Sequence, residues 1–150
     1  MKSSIRKHFC RVFALLFFIL PVFGSLVAQQ PRVKPGIDIV RNRNFDILQG
    51  KRVGLITNPT GIAADLTATV DILFGAQNLR LVALFGPEHG VRGDAEAGKY
   101  VESFVEPKTG LQVYSLYGKT RKPTKEMLQG IDVLVYDIQD IGVRSYSYIW

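Results

Sequence analysis

Short apolar runs closed by Gly-rich or Pro-rich turns alternate with stretches of helical spacing from residue 36 to residue 138 of this chain. Ile37, Val40, Phe45 and Leu48 recur near the helical period, which predicts a surface helix over Gly36–Leu48 with Gly50 as its left-handed cap. Arg52–Thr57 then reads as a strand ended abruptly by Asn58-Pro59-Thr60-Gly61. A helix over Leu66–Phe74, with Leu66, Val70, Leu73 and Phe74 on one side, leads through Gly75 to a second strand, Leu79–Phe85. A third strand over Leu111–Tyr117, a short helix over Thr124–Leu128 and a fourth strand over Asp132–Ile138 complete the pattern. Continuous apolar strands alternating with helices predict an α/β fold, a mostly parallel sheet covered on both faces. Sheets of this kind place ligand sites outside the carboxyl ends of their strands, where the polar and Gly-rich clusters fall here.

The longest apolar stretch lies before this pattern. Val12–Phe23, broken only by Pro21, follows Lys2, Arg6, Lys7 and Arg11 with no acid among them, and the small residues Gly24, Ser25 and Ala28 come next. This is the charged and apolar sequence of a signal peptide, with cleavage expected after Ala28 although Leu26 suits that site poorly. An uncleaved anchor is the alternative, but the run is well short of the roughly 20 residues that span a bilayer. Cys10 precedes the apolar run, so a lipoprotein is not expected and the mature chain carries no thiol. Periplasmic or secreted localisation follows, with membrane contact only through the transient signal peptide. Gln29–Pro35 reads as a polar linker.

Charge changes the picture little once the signal is set aside. The formal charge of +6 falls to +2, because four of the 19 Lys and Arg residues precede the expected cut and none of the 13 acids does. Nucleic-acid binding thereby loses its global support. The remaining 122 residues suffice for one hydrophobic core. The chain stops on Ser145-Tyr146-Ser147-Tyr148-Ile149-Trp150, an apolar aromatic segment, so a domain interrupted within a longer reading frame is expected; the alternative is a terminus docked in the core. Oligomeric state is not legible.

Gly86-Pro87-Glu88-His89-Gly90 is the most concentrated candidate site. Pro87 stiffens the turn and the glycines let backbone pass close to a ligand, presenting Glu88 and His89 at the sheet edge. Glu88 beside an apolar strand end suits a general acid; capping a helix or pairing with Arg92 is the alternative. His89 can position substrate or Glu88, or be purely structural. Asp137, Gln139, Asp140 and Arg144 follow the fourth strand. Asp137 suits a second catalytic or sugar-binding carboxylate, and Arg144 a bidentate grip on a substrate carboxylate, unless Asp140 caps a following helix and pairs with Arg144. Asn58, Thr60 and Gly61 can hydrogen-bond a ligand or serve an ordinary turn. No ligand spacing supports a metal site, and the dinucleotide fingerprint, the phosphate-binding loop and the serine nucleophile elbow are all missing, so no cofactor is expected.

Gly54–Gly61, Leu84–Gly93, Val113–Gly118 and Asp132–Arg144, four motifs in order, resemble the NamZ family of exo-β-N-acetylmuramidases, formerly the DUF1343 family. The resemblance covers Gly36 to Trp150. It implies an exported bacterial glycosidase that releases N-acetylmuramic acid from the non-reducing end of peptidoglycan fragments. It also implies a Rossmann-like N-terminal domain, incomplete here, with a cleft facing a C-terminal domain that this chain lacks. On these residues it makes Glu88 the candidate acid/base with His89 beside it, and Asp137 and Arg144 candidates for the cleft wall. Arg92 or Arg144 would then hold the lactyl carboxylate of muramic acid, a task suited to an arginine fork.

Overall fold

The computed structural model describes residues 33–143 apart from 97, 100 and 101. The expected signal peptide, most of the linker, Arg144 and the final aromatic segment lie outside the described residues. The chain divides after Val33, and the unit that begins at Lys34 carries the whole sheet.

Helix α1 spans Gly36–Asn42, helix α2 Thr69–Gly75, and the strands are β1 (Arg52–Thr57), β2 (Arg80–Gly86), β3 (Phe104–Val105), β4 (Gln112–Ser115) and β5 (Val133–Asp137). They form one sheet in the order β3-β4-β2-β1-β5, with every pair parallel except the antiparallel β3–β4 edge. This is the expected mostly parallel α/β sheet. Setting the short β3 aside, the chain builds outward from β1 to β2 and β4, then returns to place β5 on the other side of β1. The order therefore reverses at β1, and a crevice at the β1–β5 carboxyl ends is where such sheets bind ligands.

The two faces differ. On one, the buried Val53 and Leu55 of β1 pack with Ile37, Phe45 and Leu48 from the first helical segment and Val70, Ile72 and Leu73 from α2. Full burial of such side chains contributes about 1.5–3 kcal/mol each. A bulge in β2 opposite Val53–Gly54 shifts the alternation, so that Leu81 and Leu84 both reach this core. On the other face Phe85, Ala83 and Leu116 pack with Met127, Leu128 and Ile131. A Cβ at Gly54 would lie 2.8 Å from Leu134 Cδ2 and 2.9 Å from Ile131 Cδ1, so a larger residue there would have to push those side-chain ends aside.

Three helical expectations are corrected. The helix expected over Gly36–Leu48 stops at Asn42, and Asp46–Leu48 forms a separate 3₁₀ turn. Between them Asn44 and Phe45 adopt φ of 51° and 53°, left-handed values that interrupt the helix, while Phe45 and Leu48 both still reach the core. The second helix begins at Thr69, not Leu66, because Asp65 Oδ1 accepts the Thr67 N–H in a local turn and leaves Leu66 exposed at φ 65°. Thr124–Leu128 forms turns: Leu128 N donates to Thr124 O, but the following bonds reach back only three residues, and Gly130 at φ 78° ends the segment. Each of the three segments is short, so tertiary packing outweighs intrinsic helical preference. Among the described residues no helix is long and apolar enough to cross a membrane.

Candidate functional site

Because β1, β2, β4 and β5 run parallel, the turns that leave their carboxyl ends share one edge of the sheet. That edge carries Asn58 after β1, Glu88 and His89 after β2, and Asp137 and Gln139 at and after β5.

The loop after β2 folds upon itself. Gly90 N donates to Pro87 O at 3.0 Å, closing a tight turn. His89 takes φ 72°, a left-handed conformation unusual for a residue with a Cβ and often found where function fixes the backbone. Two contacts hold it there: Ala95 N donates to His89 O at 3.3 Å, and His89 Nδ1 lies 3.2 Å from Ala95 O. A carbonyl oxygen only accepts, so Nδ1 carries the hydrogen in this contact, and a neutral ring would offer Nε2 as an acceptor. Glu88 is half-buried, and its Oε1 accepts the Gly98 N–H at 2.8 Å. Both candidate side chains are therefore fastened by backbone of their own loop.

Arg92 anchors the same loop from below. Its Nε donates to Glu106 Oε1 at 2.9 Å and its Nη2 to Asp71 Oδ1 at 2.9 Å. The Arg92 guanidinium holds the Asp71 carboxyl below its usual range. Burial pushes Glu106 up, but hydrogen bonds from Thr109 and Arg92 outweigh it and leave that carboxyl lowered as well. Thus the guanidinium that the sequence offered for a substrate carboxylate faces two carboxylates of the protein.

The β1–β5 junction is built from hydroxyls. Thr57 Oγ1 donates to Asp137 O at 2.8 Å, and Thr69 Oγ1, at the start of α2, donates to Asp137 Oδ2 at 2.5 Å. Thr60 Oγ1 donates to Asn58 Oδ1 at 2.6 Å and accepts the Gln139 N–H at 2.8 Å. Asn58 is buried and Asp137 half-buried, so both hold fixed orientations, with Asn58 supporting its own turn through the Thr60 N–H at 3.0 Å. A Cβ on Gly61 would meet Thr57 Oγ1 at 2.2 Å and Asp137 O at 2.7 Å. Loops meet as well: a Cβ on Gly93 would lie 2.7 Å from Pro59 Cγ, which packs the β2 loop against the β1 turn. Asp137 also forms, with Thr69, the polar end of a largely apolar cavity of about 220 Å³ between α1, α2 and β5.

Sequence reasoning missed Thr57 and Thr69, whose hydroxyls organise the junction together with that of Thr60. Thr57 stood beside the singled-out Asn58 and Thr60, but nothing in the sequence pairs Thr69 with a carboxylate 68 residues away. It also missed Asp71 and Glu106 as the partners of Arg92. Among the described residues no group of three or more His, Cys, Asp or Glu is arranged to hold a metal ion.

Comparison with known proteins gives this edge a family. A model described as "Exo-beta-N-acetylmuramidase NamZ, N-terminal" matches residues 53–150. A protein named peptidoglycan beta-N-acetylmuramidase NamZ from Bacillus subtilis (strain 168) is 55% identical over 130 residues, covering 87% of this chain and 31% of its own length. A crystal structure of a DUF1343 family protein from Bacteroides fragilis NCTC 9343 superposes with a TM-score of 0.69 at 62% identity, covering 79% of this chain and 29% of that one. A second DUF1343 family protein from the same organism gives a TM-score of 0.61 at 34% identity, with the same coverage. The chain spans about a third of the length of these relatives. Sequence and overall fold together show that the chain belongs to the NamZ family.

Proposed function

We propose that the full-length protein is an exported glycosidase of cell-wall turnover that releases N-acetylmuramic acid from the non-reducing end of peptidoglycan fragments. The 55% identity to a protein named as a peptidoglycan β-N-acetylmuramidase supports the substrate class. The observation that carries the mechanism is the β2 loop, where Glu88 and His89 are adjacent at the sheet's carboxyl edge and each is fastened by a loop backbone group. Glu88 is the general acid that protonates the leaving glycosidic oxygen, a step worth about 10²–10⁴-fold in rate. His89 presents Nε2 as an acceptor to a sugar hydroxyl or amide. Two carboxyl groups flank the scissile bond in most glycosidases. Asp137, beside Asn58 and Gln139 at the strand-order reversal, belongs to the cleft wall, and the remaining wall comes from a C-terminal domain. Arg144 supplies the planar fork for the lactyl carboxylate that distinguishes muramic acid from N-acetylglucosamine. The N-terminal signal peptide, cleaved after Ala28, delivers the protein to the periplasm or medium, where its substrate lies. The reaction needs carboxyl chemistry and water, and no cofactor enters it.

The test is incubation of purified full-length protein with a muramyl-glucosaminyl disaccharide, followed by measurement of free N-acetylmuramic acid. Release is the expected result. A disaccharide that binds but stays intact would make the protein a sugar-binding module instead.

A further inference from the structure

Arg92 sits four residues beyond Glu88 in the same loop, and each of its guanidinium nitrogens faces a protein carboxylate. Nε reaches Glu106 Oε1 at 2.9 Å, while Nη1 and Nη2 reach Asp71 Oδ2 and Oδ1 at 3.3 and 2.9 Å. Glu106 is only 3% exposed, and its second oxygen accepts both the Thr109 N–H at 2.7 Å and the Thr109 hydroxyl at 2.6 Å. Asp71 is bound as well by Lys108 Nζ at 2.8 Å. Two carboxylates thus face two cations, and the cluster has no surplus positive charge with which to draw in a further anion. A substrate carboxylate that took Nε or the edge facing Asp71 would displace a partner, leaving a nearly buried Glu106 or a half-buried Asp71 short of its counter-charge.

The neighbours of Arg92 explain what the cluster holds instead. Val91 is 4% exposed in the main core, and Gly93 leaves room for only a hydrogen against Pro59. Arg92 lies between these contacts and joins the loop to α2 through Asp71 and to the turn between β3 and β4 through Glu106. The far side of the loop, where Gly98 N meets Glu88 and Ala95 meets His89, hangs from this anchor. We infer that Arg92, acting through Asp71 and Glu106, is a positioning residue that sets the loop carrying Glu88 and His89 and does not itself touch substrate. The inference rests on the reading of Glu88 as the general acid.

Hydrogen exchange and disaccharide kinetics on the full-length protein, with Arg92→Gln, Arg92→Lys and Asp71→Asn, test it together. In Arg92→Gln the Ala95 and Gly98 amides should exchange about tenfold faster or more, while the β1 amides keep their protection as a control for the fold. Turnover should fall about 10²-fold from misplacement of the acid. KM should stay within about threefold of the parent, since no substrate contact is removed. Asp71→Asn should reproduce the pattern, and Arg92→Lys should recover part of the turnover. Unchanged loop exchange with a raised KM, or a silent Asp71→Asn, would overturn the positioning role. A parent that releases no N-acetylmuramic acid would refute the glycosidase reading alone, because loop exchange still decides whether Arg92 holds the loop.

Discussion

After β2 the chain is held in place by charge: Arg92 joins the loop to Asp71 and Glu106, and backbone groups of the loop fasten Glu88 and His89. One strand across, where β1 meets β5, the threonine hydroxyls of residues 57, 60 and 69 do the same work around Asp137 and Gln139. The hydroxyl-built junction tolerates no added volume, since a Cβ on Gly61 would overlap both Thr57 and Asp137. The charge-built loop instead depends on the ionisation of its carboxylates. Side by side on one edge, the two regions combine a rigid floor with a loop whose setting is governed by ion pairs.

The largest effect expected on this contrast comes from Gly61→Ala. Its methyl group would meet a backbone oxygen 2.7 Å away and push aside the Thr57 hydroxyl. The cost should be about 3 kcal/mol, from overpacking together with a lost hydrogen bond. Thermal unfolding reads it, and an unchanged midpoint would show the junction to be softer than described. Thr69→Val is expected to cost about 1.5 kcal/mol, the contribution of one hydrogen bond to a charged group, because Asp137 Oδ2 loses its donor. Urea unfolding measures that loss, and a neutral variant would mean that Asp137 finds another donor.

The smallest effect is that of acid. Asp71 and Glu106 have folded-state pKa values below their ordinary ones, so their contribution is present above those ordinary values, near pH 4, and is lost as pH falls through the lowered ones. Asp132, at the amino end of the sheet, is held down to about 2 by Arg52. Lowering the pH from about 5 to about 3 should therefore loosen the Ala95 and Gly98 amides before those near Arg52. Hydrogen exchange across that range checks the order, and simultaneous loosening would remove the distinction.

The strands and the edge that carries the candidate residues were legible because continuous apolar runs between Gly-rich and Pro-rich turns have few other solutions. β1 was placed residue for residue, and the other three parallel strands to within two residues at either end. β3 was not, since two residues cannot display a period and its pairing with β4 is set by the tertiary fold. Leu66 illustrates a further limit: its spacing fits a helix, but the Asp65 turn stops the helix short of it. At the site, Glu88, His89, Asp137 and Gln139 were visible as polar residues after strands. The partners of Arg92 were not, because Asp71 lies 21 residues before it and Glu106 14 after, distances at which no local spacing rule operates. Arginine chemistry alone pointed equally well to a substrate.

The most direct test of the central claim is Glu88→Gln in the full-length protein, measuring both turnover of the muramyl-glucosaminyl disaccharide and its affinity. The amide keeps the size of the side chain and can still accept the Gly98 hydrogen bond. If Glu88 is the general acid, turnover falls about 10²–10⁴-fold while affinity changes little. Turnover near that of the parent, with affinity lost, would make Glu88 a binding residue and place the acid elsewhere.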